Sequence, residues 1–216
     1  MPNRPSLLIG RLVTAAALSL LAGCFTGERG TLVDPPPGGE LGQPSGDANA
    51  DTVLNWLETK PSLAFTAHYQ LTLNFGGVVS EATVTEDAIS RRSVTIGGVR
   101  FLSNGIDQTC VIATGACEQG LLDARTSDLG FTSSFDREVP AKRLRTSTSR
   151  KTGPTSTTTE VIAGLPATCV TVPVGAGSEL YCALQTGGLA RMDGADVHVE
   201  LTTYEGVTAE ALFLPT

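Results

Sequence analysis

The groups in this 216-residue chain most able to do chemistry are its five cysteines, Cys24, Cys110, Cys117, Cys169 and Cys182. Cys24 stands apart, at the end of a short apolar run near the N-terminus. The other four can form disulfides in three ways. Hairpin geometry favours Cys110–Cys117 and Cys169–Cys182. Between the latter two the chain runs Thr171-Val172-Pro173-Val174, then Gly175-Ala176-Gly177-Ser178, then Glu179-Leu180-Tyr181. A turn centred between Gly175 and Ala176 sets Cys169 directly opposite Cys182, close enough for a disulfide at a non-hydrogen-bonded antiparallel pair. The same construction centres the shorter loop near Ala113 and Thr114. Zinc is the competing use of such cysteines, but neither spacing matches the short knuckle of a structural site.

The remaining chemistry is sparse. His68 and His198 fall on the polar faces of expected strands and read as solvated or hydrogen-bonded surface residues. Neither lies near another histidine or a cysteine at metal-ligand spacing. There is no Gly-x-Ser-x-Gly elbow, no phosphate-binding glycine loop and no His-Glu-x-x-His. The glycine pairs sit between strands rather than before a helix, so they read as turns. Glu86-Asp87 reads as a solvated strand end. The expectation is a protein that is not an enzyme and that uses neither metal nor cofactor, apart from any covalent lipid. One basic cluster, Arg137, Lys142, Arg143, Arg145, Arg150 and Lys151, runs against the acidic composition. It reads as a solvated turn balancing that surface; contact with anionic lipid head groups or acidic envelope polymers is the functional alternative.

The surroundings of Cys24 give it a different use. Arg4 and Arg11 precede the apolar stretch Leu12 to Leu21, and no acidic residue occurs before Glu28. A basic start, an apolar run too short for a bilayer and small residues at the cut make a secretory signal. Leu21-Ala22-Gly23-Cys24 resembles the lipobox of bacterial lipoproteins. That resemblance implies a signal peptide at 1–23, diacylglycerol and acyl chains on Cys24, and a protein anchored by lipid to the outer face of the cell membrane. Two or more acyl chains make such anchoring stable. Export also favours pairing of the other four cysteines.

Residues 1–23 carry two of the 15 basic residues and none of the 22 acidic ones, so the remainder has a formal net charge of −9. Nucleic acid is a poor partner for so acidic a chain. From Phe25 to Ala50 the sequence is rich in Pro, Gly, Thr and Ser, so 24–50 reads as a lipidated cysteine and flexible tether. It would hold a domain on the order of 25–30 Å from the membrane. Residues 51–216 then form one domain of ordinary size.

Within that domain Asp51 offers a helix N-cap, with Val53, Leu54, Trp56 and Leu57 on one face before Pro61. Thirteen residues of alternation from Leu63 to Phe75 read as a long strand with one buried face. Glycine-containing turns at Gly76-Gly77, Gly97-Gly98 and Asn104-Gly105 divide an antiparallel meander. Between Glu118 and Arg150 the alternation fails and Pro140 interrupts, so short helices or an irregular excursion are expected there. Strand character returns at Ser156–Ile162, in the Cys169/Cys182 hairpin, at Leu189–Met192 and at Val197–Tyr204.

The order of lipobox, tether, short helix, long strand, meander, irregular middle and further hairpins resembles the LolA/LolB-type half-barrel lipoproteins and their mycobacterial lipid-carrier relatives. The resemblance covers roughly residues 50 to 216 and rests on element order; two disulfides are not part of the general family pattern. It implies a mainly β (α+β) fold, a curved antiparallel sheet with a few short helices on its concave face, and an apolar cavity for acyl chains. A β-sandwich is the alternative. In a curled sheet the inward residues Leu63, Phe65, Tyr69, Leu71 and Leu73 line either a packed core or an apolar-ligand pocket. The pocket requires the Glu118–Arg150 segment to be a lid rather than a plug. Two functions follow: a carrier or binder of a lipid or other apolar ligand, or an envelope structural or interaction lipoprotein without a small-molecule site.

Overall fold

A computed structural model describes residues 41–89, 91–175 and 177–215. Cys24, the signal at 1–23 and the tether residues 24–40 lie outside them. The order is α1 (Ala48–Glu58), β1 (Phe65–Leu73), β2 (Val78–Glu86), β3 (Arg92–Ile96), β4 (Val99–Ser103), β5 (Asp107–Val111), β6 (Ala116–Gln119), α2 (Glu138–Ser149), β7 (Ser156–Ile162), β8 (Leu165–Val174), β9 (Gly177–Leu184), β10 (Leu189–Asp193) and β11 (Val197–Glu205). Short 3₁₀ turns occupy Asp123–Thr126 and Glu210–Phe213.

All eleven strands belong to one sheet, ordered β6-β5-β4-β3-β2-β1-β11-β10-β9-β8-β7, and every neighbouring pair is antiparallel. The sheet is curved and unclosed, a half-barrel; it is not divided into the two sheets of a sandwich. Two meanders joined by short turns account for all pairings but one. The exception is β1 with β11, which joins the meanders at the centre and carries an irregularity between His68 and Tyr69.

The first strand is shorter than its alternation predicts. Pairing runs only over Phe65–Leu73, and both flanking apolar residues, Leu63 and Phe75, are exposed. The Asn74 backbone N–H already donates to the Asp196 carbonyl in the turn beyond β1. Alternation reports a side chain's face, not where strand pairing stops.

The first helix starts earlier than expected. Asp47, not Asp51, is the N-cap: its carboxylate accepts from the Asn49 and Ala50 N–H groups, each at 3.1 Å. Asp51 sits in the first turn and takes the Ser45 N–H and hydroxyl at 2.6 Å each. The final residues of the stretch read as tether are therefore part of the folded unit. Helix α1 buries Ala50, Val53, Leu54 and Leu57 and packs on α2, β8 and β9. Pro140 does not break α2, because it occupies the first turn, where a backbone N–H has no helical partner to lose. Among the described residues no helix is long and apolar enough to cross a membrane.

Candidate functional site

The alternation of β1 puts Phe65, Ala67, Tyr69 and Leu71 on the inner face, all buried within the main core. Of the five residues expected to line a pocket, Phe65, Tyr69 and Leu71 are in this core, and Leu73 packs against it half-buried. Leu63 does not belong with them: it precedes the strand and is 73% exposed.

What covers this face is the connection between β6 and α2. Phe135 meets Tyr69 edge-on, with ring centroids 5.2 Å apart, and Phe131 meets Phe135 at 6.4 Å. Leu73 lies so close to Gly130 (φ 72°) that a Cβ there would sit 2.7 Å from a Leu73 methyl. On the other flank Tyr204 stacks on Phe65 at 5.3 Å. The Tyr69 hydroxyl donates to the Leu189 carbonyl at 2.9 Å. Burial, helped by the nearby Asp136 carboxylate, pushes the Tyr69 phenol far above its usual range, so it remains a donor. An apolar crevice of about 50 Å³, bordered by Phe131, Phe135, Val139, Met192 and Val197, lies beside the two phenylalanines.

Charge fastens this segment to the sheet. Arg92, at the start of β3, faces Glu86 at the end of β2 across the ladder. Asp136 accepts from Arg92 at 2.5 Å, and Arg137 pairs with Glu86 at 2.8 Å. Arg92 also reaches Glu86 at 3.4 Å. The backbone adds a tie, from the Leu189 N–H to the Asp136 carbonyl at 2.8 Å. Glu86 and Asp136 are buried, at 2% and 1% exposure. This overturns the reading of Glu86 as solvated. Asp87 does close the adjacent turn, taking the Arg91 N–H at 2.8 Å and its Nε at 2.6 Å. Burial works against the Asp87 carboxylate, but the Arg91 bonds outweigh it and hold its pKa below the usual range.

The basic cluster is mostly matched inside the fold. Besides Arg137, Arg143 forks onto Asp196 at 2.8 and 2.6 Å, and Lys142 meets Glu138 at 2.5 Å. Arg145 is buried against Glu58 and also donates to the Gln43 carbonyl at 2.7 Å. Lys151 pairs with Asp47. Only Arg150, which is exposed, is in no ion pair among the described residues. An open cleft of about 430 Å³ runs between Lys142, Arg143 and Arg150 on one side and Glu179, Tyr181 and Asp196 on the other. Its floor is self-satisfied: the Tyr181 hydroxyl donates to Glu179 at 2.6 Å, and Ser147 bonds to both.

The cysteines are paired as hairpin register requires. Cys110 is joined to Cys117 and Cys169 to Cys182, each pair directly opposite in its ladder. Cys169 and Cys182 are fully buried, whereas Cys117, on edge strand β6, is exposed. Glu160 approaches the Cys169–Cys182 sulfurs, but sulfurs joined in a disulfide are not thiolate ligands. His68 bonds to Thr83 at 3.1 Å, and His198 lies between Asp193 and Glu200.

The class of protein so defined is an open antiparallel half-barrel whose concave face is closed by its own chain. The chain matches no family model. No curated protein matches it either. Among solved structures it is similar to MucB, at 16% identity over 78% of this chain and 63% of that one, with a TM-score of 0.45. The crystal structure of MucB in complex with MucA(peri) gives 13% identity over 76% of this chain and 58% of that one, with a TM-score of 0.43. LprF from Mycobacterium bovis gives 12% identity, 74% and 94% coverage, and a TM-score of 0.36. The chain thus spans less than two thirds of MucB, and no residue role is carried over from any of these.

Proposed function

We propose that this protein is a lipid-anchored extracytoplasmic interaction protein, a half-barrel that presents its surfaces rather than enclosing an acyl chain. It acts by binding, not catalysis. One observation carries this reading: Phe135 sits on Tyr69 and its neighbours Asp136 and Arg137 are ion-paired to Arg92 and Glu86. The segment that would have to be a lid is held as a plug. The crevice beside it, about 50 Å³, is far below the roughly 300–1,000 Å³ of small-molecule sites. Anchoring rests on the lipobox-like Leu21-Ala22-Gly23-Cys24 and the length of chain after it.

Native mass spectrometry of the mature chain carrying Cys24→Ser, purified without detergent, tests the proposal. The expected spectrum is a ligand-free mass. A stoichiometric diacyl-lipid adduct would establish the carrier instead. Anchoring is tested separately by comparing membrane fractionation of the native chain with that of Cys24→Ser; equal partitioning would remove the anchor from the account.

A further inference from the structure

The outer face of the sheet carries a site independent of the plugged interior. Register aligns one row across four neighbouring strands: His68 opposite Thr83, Thr83 opposite Thr95, and Thr95 opposite Arg100. Strand spacing makes the row roughly 14 Å long. These residues alternate with the core positions Ala67, Val84, Val94 and Phe101, so they face away from the plug.

The segment after β11 runs along this row as a strap. Thr66 donates to the Val207 carbonyl at 2.8 Å, and Asn104 to that of Phe213 at 3.3 Å. Arg91 forks onto Glu210 at 2.6 and 2.8 Å and lies 4.6 Å above the Phe213 ring. Between strap and threonines lies an open groove of about 400 Å³.

Arg100 lines the groove with only 8% of its surface exposed. Its Nε reaches Thr95 Oγ1 at 3.4 Å, and its Nη1 reaches the Ala211 and Leu214 carbonyls at 3.4 and 3.1 Å. Among the described residues it is in no ion pair, and its Nη2 donates to nothing. Neutral oxygens meet part of its hydrogen-bonding capacity, no carboxylate of the described residues offsets its charge, and Nη2 keeps access to solvent. The Thr95 hydroxyl, an acceptor from Arg100, retains its own proton to donate. The one acid in the groove, Glu205, is opposite Thr66 on β11, four strands from β4 and roughly 19 Å away by strand spacing. Val207, Ala209 and Leu212 give the groove an apolar wall.

We propose that this groove binds a small organic oxyanion, a carboxylate or a phosphate monoester, with its head on Arg100 and Thr95 and its apolar body against Val207 and Leu212. The two polar groups supply a charge-assisted pair and a hydroxyl donor, and the wall discriminates an organic anion from a bare ion.

The test is an NMR titration of the labelled mature chain carrying Cys24→Ser. Octanoate, phenyl phosphate and inorganic phosphate are added separately while the Arg100 Nε and Thr95 methyl signals are followed. Octanoate or phenyl phosphate should shift both saturably, at least about ten-fold more tightly than inorganic phosphate; the one that does so identifies the head group. Arg100→Gln should weaken binding by about ten-fold or more. Thr95→Val keeps the Arg100 contacts to the strap, and should weaken binding a few-fold with the rest of the spectrum unchanged. No saturable shift with any probe overturns the site, as does unchanged affinity in both variants. Inorganic phosphate binding as tightly as the organic probes would reduce it to an adventitious ion only.

Discussion

The ring of Phe135 meets the ring of Tyr69 edge-on at 5.2 Å, and this contact covers the inner face of the half-barrel at its central strand. Tyr69 lies on β1 at the centre of the sheet, between β2 and β11, and Phe135 lies in the long connection between the two outermost strands. The contact therefore ties the middle of the sheet to the segment that joins its edges.

Phe135→Ala removes a ring that is 1% exposed and opens a cavity against Tyr69 and Phe131. A loss of about 3–5 kcal/mol is expected from urea unfolding. The variant should also bind an apolar dye that the parent does not.

Arg92, partly exposed, is paired with the buried carboxylate of Asp136. Arg92→Ala leaves buried Asp136 only Arg137, at 3.9 Å, and should cost about 3–5 kcal/mol; Asp136→Ala leaves Arg92 its contact to Glu86 and should cost less. The double replacement Arg92→Met with Asp136→Leu should recover a large part of that loss. A double-mutant cycle measured by chemical denaturation checks the coupling.

Asp47 predicts the acid limb of stability. Its burial acts to raise its pKa, but bonds from Lys151, Thr155 and the Ala50 N–H, with the Lys151 charge, bring it down to about 2. The folded pKa lies below the unfolded one. The contribution is therefore complete above about pH 4 and is lost as pH falls through 2. Asp47→Asn keeps a capping oxygen and should flatten the stability loss between about pH 4 and pH 2. Asp47→Ala should cost about 1 kcal/mol at neutral pH as well. Urea midpoints across this pH range measure both.

The two disulfides differ in access. Cys117 is exposed, whereas Cys169 and Cys182 are fully buried. Under mild reduction followed by alkylation, mass mapping should find Cys110 and Cys117 labelled well before the other pair. Loss of the Cys169–Cys182 link by paired alanine replacement should cost about 3 kcal/mol.

Local features of this fold are written locally. The Cys169/Cys182 pairing follows from counting residues about a glycine turn, and the register places Val174 opposite Gly177 around a two-residue turn. The inward set Phe65, Tyr69 and Leu71 follows from alternation, but Leu63 shares that phase without being in the strand. Long-range partners carry no comparable mark. Glu86 looks solvated because the residue that neutralises it, Arg137, is far along the chain. The basic cluster looks unbalanced for the same reason: Asp47, Glu58 and Asp196 approach it only in three dimensions. The β1–β11 pairing joins distant segments, so hairpin turns give no sign of it. The row that lines the Arg100 groove has no local mark either: its four residues come from four strands, and only register brings them together.

Plug and lid are separated most directly by the contact between the Tyr69 and Phe135 rings in the presence of lipid. Isotope-edited nuclear Overhauser spectra of the mature chain carrying Cys24→Ser, recorded before and after incubation with phospholipid vesicles, report that contact atom by atom. With the segment held as a plug, the ring-to-ring cross-peaks persist unchanged and no acyl-chain cross-peaks to Tyr69 or Leu71 appear. Loss of the ring contact, with acyl-chain cross-peaks appearing at Tyr69, would contradict the plug.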